Sequence, residues 1–438
     1  MKKLTALLFP AVLMSGLCVS CGTDTGDAFD TAMYNSETDS LGKKENTEPV
    51  EISFSWWGND TRTKYTLNAI EKFEELHPDI KVNCSYSEWS GYQSRNDVQM
   101  EANTESDVMQ INYAWIERYS HNGDRYYDLN TLSDYIDLSN FTEEQINFGM
   151  QNGKLNALPI ALNTMTVYFN KSIFEQYGLD IPSKWDDLFT AAKVMNGQNY
   201  PISMTAKTAF VYCESYAGQQ TGKNFIDNSG NLLFNKDDIK IMIDFYCRMV
   251  NEKVTSQVEY FDKINLNSGE YAGTIAWLSD GMEYFKGAVN NDYIIKIADY
   301  TTFDGNLTNW YVKPATMYAI SKNTENPEAS AVLVDYLLNS TEMAEFQGIE
   351  KGIPLSRNAR SYLEKHKKLS GLQYDAFTKM TENQDKLETI SPYFENDDVI
   401  NEFIIGCDDV IYDKATPDEA AQRLYEKFSE YISAAVKK

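Results

Sequence analysis

Histidine is scarce in this chain of 438 residues: only His77, His121 and His366 occur. They lie far apart, and none sits in a metal-ligand or nucleophile motif. Positive charge is short as well. Lys and Arg number 39 against 65 Asp and Glu, for a net charge of -26, and no basic stripe interrupts the acidity. That argues against nucleic acid as a partner. Past residue 17 no apolar run is long enough to span a bilayer. No self-similarity at a period of about 20 to 50 residues is visible, which argues against a solenoid. A calcium loop at Asp227 fails because Gly230 is misplaced and no glutamate follows at the twelfth position. No serine or cysteine nucleophile signature and no marked pair of carboxylates is found, so the chain reads as a non-enzyme that needs no cofactor or metal.

Aromatics, by contrast, are plentiful: Tyr 29, Phe 21 and Trp 7 make up 13% of the residues. The stretch FSWWGNDTR at 54–62 concentrates them where a strand gives way to a polar loop. Alternation puts Ile52, Phe54 and Trp56 on one face of that strand and Trp57 on the other.

The N-terminus is set apart. Met1-Lys2-Lys3 is followed by a short apolar run to Leu17, the layout of a secretory signal over residues 1–20. GLCVSCG resembles a bacterial lipoprotein signal and makes Cys21 the lipidated residue, preferred over Cys18 because small Ser20 precedes it. Cys18 stands where leucine is usual. Residues 21–48 are poor in apolar side chains and read as a flexible tether. The remaining Cys84, Cys213, Cys247 and Cys407 match no zinc spacing. Buried thiols are the preferred reading, with three disulfide pairings formally open.

From residue 50 strand and helix patterns alternate. Strands are expected at 52–57, 80–84 and 107–112, with a helix between the first two that ends at His77-Pro78. LNALPIALNTMTVYFNK gives two strand-like runs around Asn163-Thr164. A helix capped by Ser183 should bury Trp185, and IDNSGNLLF looks like a hairpin. AGTIAWLSD and the segment from Pro314 read as further strands. Helices start at Pro327, after Asn326, and at Pro417, after Thr416 with Glu419 completing a capping box.

In this order, SWWGNDTRTKYTLNAIEKFEELHPDIKV, SDVMQINYAWIERY, GKLNALPIALNTMTVYFNK with IPSKWDDL, NSGEYAGTIAWLSD and KGIPLSRNARSYL resemble the family-1 extracellular solute-binding proteins of ABC importers, the carbohydrate-binding group. WWGNDTR, SEWSGY and DVMQINYAW look most like the branch that binds oligogalacturonides. Phe169 replaces a frequent tyrosine. The resemblance implies an α/β fold of the type II periplasmic-binding-protein kind: two lobes, each a mainly parallel sheet flanked by helices, with ligand in the cleft between them. Residues 49–163 plus 315–367 would form the N-terminal lobe, and 164–314 plus 368–438 the C-terminal lobe. It further implies a monomer, lipid-anchored on the outer face of a bacterial membrane, that closes by hinge rotation and delivers an oligosaccharide to importer permease subunits.

Sugar rings need flat aromatic surfaces and planar hydrogen-bonding groups. In open α/β sheets ligands bind beyond the carboxyl ends of strands. That rule selects Trp57 (preferred over Trp56), Asn59 and Arg62, then Asn112, Tyr113 and Trp115, then Trp277 and Asp280. Asn163 lies at a crossing, Trp89 and Tyr92 at the rim, and Trp310 and Tyr311 beside a second crossing. An acidic ligand would need cations, with Arg62 first, then Arg95, Arg118, Lys207 and Lys313. A binding protein for another solute, a surface adhesin and a glycoside hydrolase are the alternatives.

Overall fold

The computed structural model describes residues 48–436. The expected signal, Cys21 and all but the end of the tether lie outside the described residues. Strand β1 (Val50–Trp57) leads through helix α1 (Asp60–Leu76) to β2 (Ile80–Ser87), and α2 (Trp89–Ala102) leads to β3 (Val108–Ile111) and α3 (Ala114–Ser120). β1 runs parallel to both β2 and β3, as helical crossovers require. The two faces of β1 feed different cores. Ile52, Phe54 and Trp56 join the main core under α1, while Trp57 joins Tyr92, Met109, Ile111 and Trp115 in a second cluster.

Next comes β4 (Leu158–Asn170), a single strand of 13 residues, all buried. Two runs were expected here. Burial on both faces erases the alternation that would have marked one strand, and the register shifts around Ala161 and Leu162 add local irregularity. β4 changes partners midway. Its first half, to Thr164, pairs with β7 (Tyr311–Ile320), and its second half, from Met165, pairs with β5 (Gly273–Trp277) and β6 (Ile295–Ile297). β7 likewise pairs with β3 at one end and with β8 (Glu388–Thr389) at the other. The sheet order is β2-β1-β3-β7-β4-β5, with β8 and β6 beside β7 and β4. The two long antiparallel strands therefore run through both halves of the sheet.

Trp185 is 1% exposed, ringed by Tyr212, Tyr216 and Phe245 with centroids 4.7 to 5.3 Å away. Its helix starts one residue later than Ser183 capping would give. The Asp187 carboxylate accepts from the backbone N–H of Ser183 and Lys184 instead. At the last helix, Pro417–Val436, Thr416 and Glu419 form the reciprocal cap. Cys84, Cys213, Cys247 and Cys407 are free thiols, the last three buried. The described residues, 48–436, form one compact unit. Among the described residues no helix is long and apolar enough to cross a membrane.

Candidate functional site

A cavity of about 510 Å³ opens where β1, β3 and the crossing strands meet, within the range of about 300–1,000 Å³ usual for small-molecule sites. β1 delivers Trp57 to it. Gly58 follows because a Cβ there would come within 2.7 Å of Arg62 Cβ, so only glycine lets α1 start this close. Asn59 caps α1, its side chain accepting from the Arg62 N–H at 3.0 Å. That bond occupies the Asn59 side chain, which does not line the cavity, whereas Arg62 does. Arg62 Nη2 then donates to the Glu350 carbonyl at 2.9 Å, tying this turn to the loop that carries Lys351.

Aromatic rings form one wall. Trp57 is 9% exposed and lies 4.9 Å from Trp89, which is 40% exposed at the cavity edge. Tyr92 and Trp115 do not line this cavity. They stack behind it at 5.9 Å and 8° interplanar angle, and the Tyr92 hydroxyl donates to the Gln110 carbonyl at 2.8 Å. Both pack against Trp57, and Trp115 stacks on Trp89 as well. On the opposite wall stands Trp277 at the end of β5, with Lys313 Nζ 4.2 Å from its ring centre.

Polar groups fill the floor. Asn163, where β4 changes partners, donates to Ser279 Oγ at 3.1 Å, and Ser279 donates on to Asp280 at 3.0 Å. Asn112 and Tyr113 line the cavity just past β3. Burial, with a push from Glu117, raises the Tyr113 hydroxyl to about 12, so it stays protonated and can donate.

The cavity is locally basic within an acidic protein. Arg62, Lys207, Lys313 and Lys351 line it, against Asp280, Glu395 and Asp397. Burial alone would raise the Glu395 carboxyl, but the Lys313 and Lys207 ammoniums outweigh burial and hold it below its usual value. Lys207 lies 3.4 Å from it, and Lys313 contacts its other oxygen. Lys351 is 3% exposed, and burial assisted by the Arg62 guanidinium brings its ammonium down to about 7. Buried Arg62 Nε and Thr316 Oγ1 find no hydrogen-bond partner among the described residues.

The structure thus brings Trp57, Arg62, Trp89, Asn112, Tyr113, Asn163, Trp277 and Asp280 to one cavity, together with Lys207 and Lys313. It leaves out Asn59, Tyr92 and Trp115, and it places Trp310 and Tyr311 elsewhere altogether. Trp310 is 1% exposed, packed on Tyr300 at 5.1 Å and donating through Nε1 to the Thr301 carbonyl. Tyr311 packs on Phe394 at 5.0 Å and donates to Glu214 at 2.9 Å. Both stand at the start of β7, past the carboxyl end of β3 and beside Thr164, but their rings are buried in the main core instead of facing the cavity. Arg95 lies over the Tyr92 ring, and Arg118 pairs with Asp97 at 3.1 Å. Sequence reasoning missed Lys351 and Glu395. Lys351 immediately precedes the Gly352-Ile353-Pro354 segment already singled out, which was the available signal.

A cleft at crossing strands, walled by indoles and floored by planar polar groups, defines a protein that holds a solute. The chain belongs to the family described as bacterial extracellular solute-binding proteins, whose model matches residues 57–344. Among solved structures it is similar to a periplasmic solute binding protein from Pectobacterium atrosepticum. That likeness has a TM-score of 0.81 at 26% identity, covering 88% of this chain and 100% of that one. It is also similar to a periplasmic oligogalacturonide binding protein from Yersinia enterocolitica, solved with saturated digalacturonic acid, with a TM-score of 0.78 at 29% identity and coverage of 88% and 100%. An arabinooligosaccharide-binding protein of Halalkalibacterium halodurans is 22% identical over 184 residues, 41% of each chain. The chain spans about a third to a half of the length of the curated relatives it matches. The fold is the two-lobed α/β architecture of type II periplasmic solute-binding proteins.

Proposed function

We propose that this protein is the oligosaccharide-binding component of an ABC importer and that its ligand is an acidic oligosaccharide of the oligogalacturonide kind. The observation that carries the reading is the pairing of Trp57, Trp89 and Trp277 with Arg62, Lys207, Lys313 and Lys351 in one cavity. Indoles stack on the apolar faces of sugar rings, and the cations form charge-assisted hydrogen bonds with uronate carboxylates. Unpaired Arg62 Nε and Thr316 Oγ1 gain partners on binding. The similarity to a protein solved with digalacturonic acid supports the same choice.

In this reading the lobes divide at Asn163 and Pro314, near the places where β4 and β7 change partners. The lobes close on the ligand, and a permease recognises the closed form. The body is a monomer, and Cys21 carries the lipid that holds it at the outer face of the membrane. Catalysis is disfavoured on chemical grounds. Glycoside hydrolysis needs one carboxyl with a raised pKa as general acid, whereas Glu395 is held ionised by two lysines.

Thermal unfolding with a panel of oligogalacturonides and xylo-, manno- and malto-oligosaccharides tests the reading. A ligand at about 100 times its dissociation constant adds about 2.7 kcal/mol to native stability. The expected result is a shift with oligogalacturonides and none with the neutral sugars. New reducing ends appearing during incubation would instead mark a hydrolase.

A further inference from the structure

A second cavity of about 540 Å³ adjoins the first, and Gln93, Ala114, Pro392 and Glu395 line both. It runs between α3 and the final turns of the last helix. Trp115, Tyr393 and Tyr431 give it three ring faces, and Ala435 forms part of its wall. Tyr393 donates to Glu117 at 3.1 Å across this space, and Gln151 donates to the other Glu117 oxygen at 2.8 Å. Glu117 and Glu395 are therefore already engaged, Arg118 is paired with Asp97, His121 contacts Glu117, and Asp398 also lines the space. A third cavity, of about 530 Å³, meets the first only at Tyr113. It carries Glu144 and Asp385 with no cation among its lining residues, so it opposes an acidic chain.

We propose that the second cavity is an extension subsite, which takes the sugar units of a longer acidic oligosaccharide beyond those held at Trp57 and Trp277. The proposal rests on the oligosaccharide reading above. Growth is one-directional: toward Tyr393 and Tyr431, and blocked toward Glu144 and Asp385. Recognition there is by ring faces and hydroxyls, because Glu117, Glu395 and Arg118 already have partners within the protein.

Calorimetric titration of the protein with di-, tri- and tetragalacturonate tests it. Affinity is expected to rise about tenfold from dimer to tetramer, about 1.4 kcal/mol. Ala435→Trp, which fills the second cavity, should remove that gain while leaving dimer affinity unchanged. Tyr431→Ala, which deletes a ring face instead, should do the same and guards against a folding defect in the first variant. Dimer binding with no dependence on length, or a gain that survives both variants, overturns the extension subsite and leaves the parent reading intact. Failure of all three oligomers to bind overturns both.

Discussion

Lys351 Nζ donates to Tyr318 Oη at 3.0 Å beneath the floor of the cleft, with the Arg62 guanidinium close enough to disfavour its charge. A buried lysine with no carboxylate partner is costly when charged. A ligand carboxylate would supply that partner.

Binding of an acidic sugar should therefore take up protons near neutrality. Digalacturonate affinity is expected to fall as pH rises through about 7, where the unliganded lysine titrates. Lys351→Met should flatten this slope and weaken binding by about tenfold, the scale of one charge-assisted hydrogen bond. The unliganded protein behaves oppositely. Folding lowers this pKa from 10.5 to about 7, so between those values the unfolded chain holds the extra proton and stability rises with pH. The Tm of wild type should climb relative to Lys351→Met across that window.

The two neighbouring indoles separate by role. Trp56 is fully buried and stacks on Phe54 at 4.8 Å. Trp56→Ala should cost about 3–5 kcal/mol of stability while leaving the affinity of the folded fraction within about twofold. Trp57→Leu keeps apolar volume but removes the cleft-facing ring. It should lower affinity by about tenfold, about 1.4 kcal/mol, with a smaller loss of Tm. Paired calorimetry and denaturation resolve the two.

Glu395 holds Lys207 and Lys313 together. Glu395→Gln should raise affinity for an acidic ligand several-fold and steepen its decline with salt, since two ammoniums are released. The same change leaves Lys313 unpaired and should lower Tm. An affinity that falls for acidic sugars would contradict the assignment of these lysines to the ligand.

Tyr311, together with Asn309, holds a buried acid instead of a sugar. Burial raises the Glu214 carboxyl to about 8, against the hydrogen bonds from Tyr311 and Asn309 that lower it. Below its ordinary value of 4.5 both states are protonated, so stability should fall as pH rises from there toward 8. Glu214→Gln should raise Tm at pH 8 relative to pH 5 with ligand affinity unchanged.

Much of the site was legible because strand ends are legible. Trp57, Asn112, Tyr113, Trp277 and Asp280 each follow a short apolar run that closes in polar residues, and the rule placing ligands past carboxyl ends applies to them directly. Trp310 and Tyr311 do lie beside the second crossing, but their rings turn into the main core, a direction that the local pattern does not encode. Asn59 has the right address but the wrong task, since an N-cap consumes its side chain. Tyr92 and Trp115 share the aromatic pile yet stand one layer back, a depth that sequence spacing does not report. Lys351 and Glu395 arrive from loops far along the chain, so only the folded path brings them to Arg62 and Lys313. The fold was read more fully than the site. The β1-α1-β2 unit and the helix starts at Pro327 and Pro417 came from capping and periodicity, whereas β4 hid its continuity behind burial on both faces.

The most direct test of carboxylate recognition is calorimetric titration of the protein with trigalacturonate and with its carboxyl-reduced, neutral counterpart. The account predicts that trigalacturonate binds more tightly by at least about a hundredfold, about 2.8 kcal/mol, and that Arg62→Ala removes most of the difference. Equal affinity for the two, or tighter binding of the neutral sugar, would contradict it.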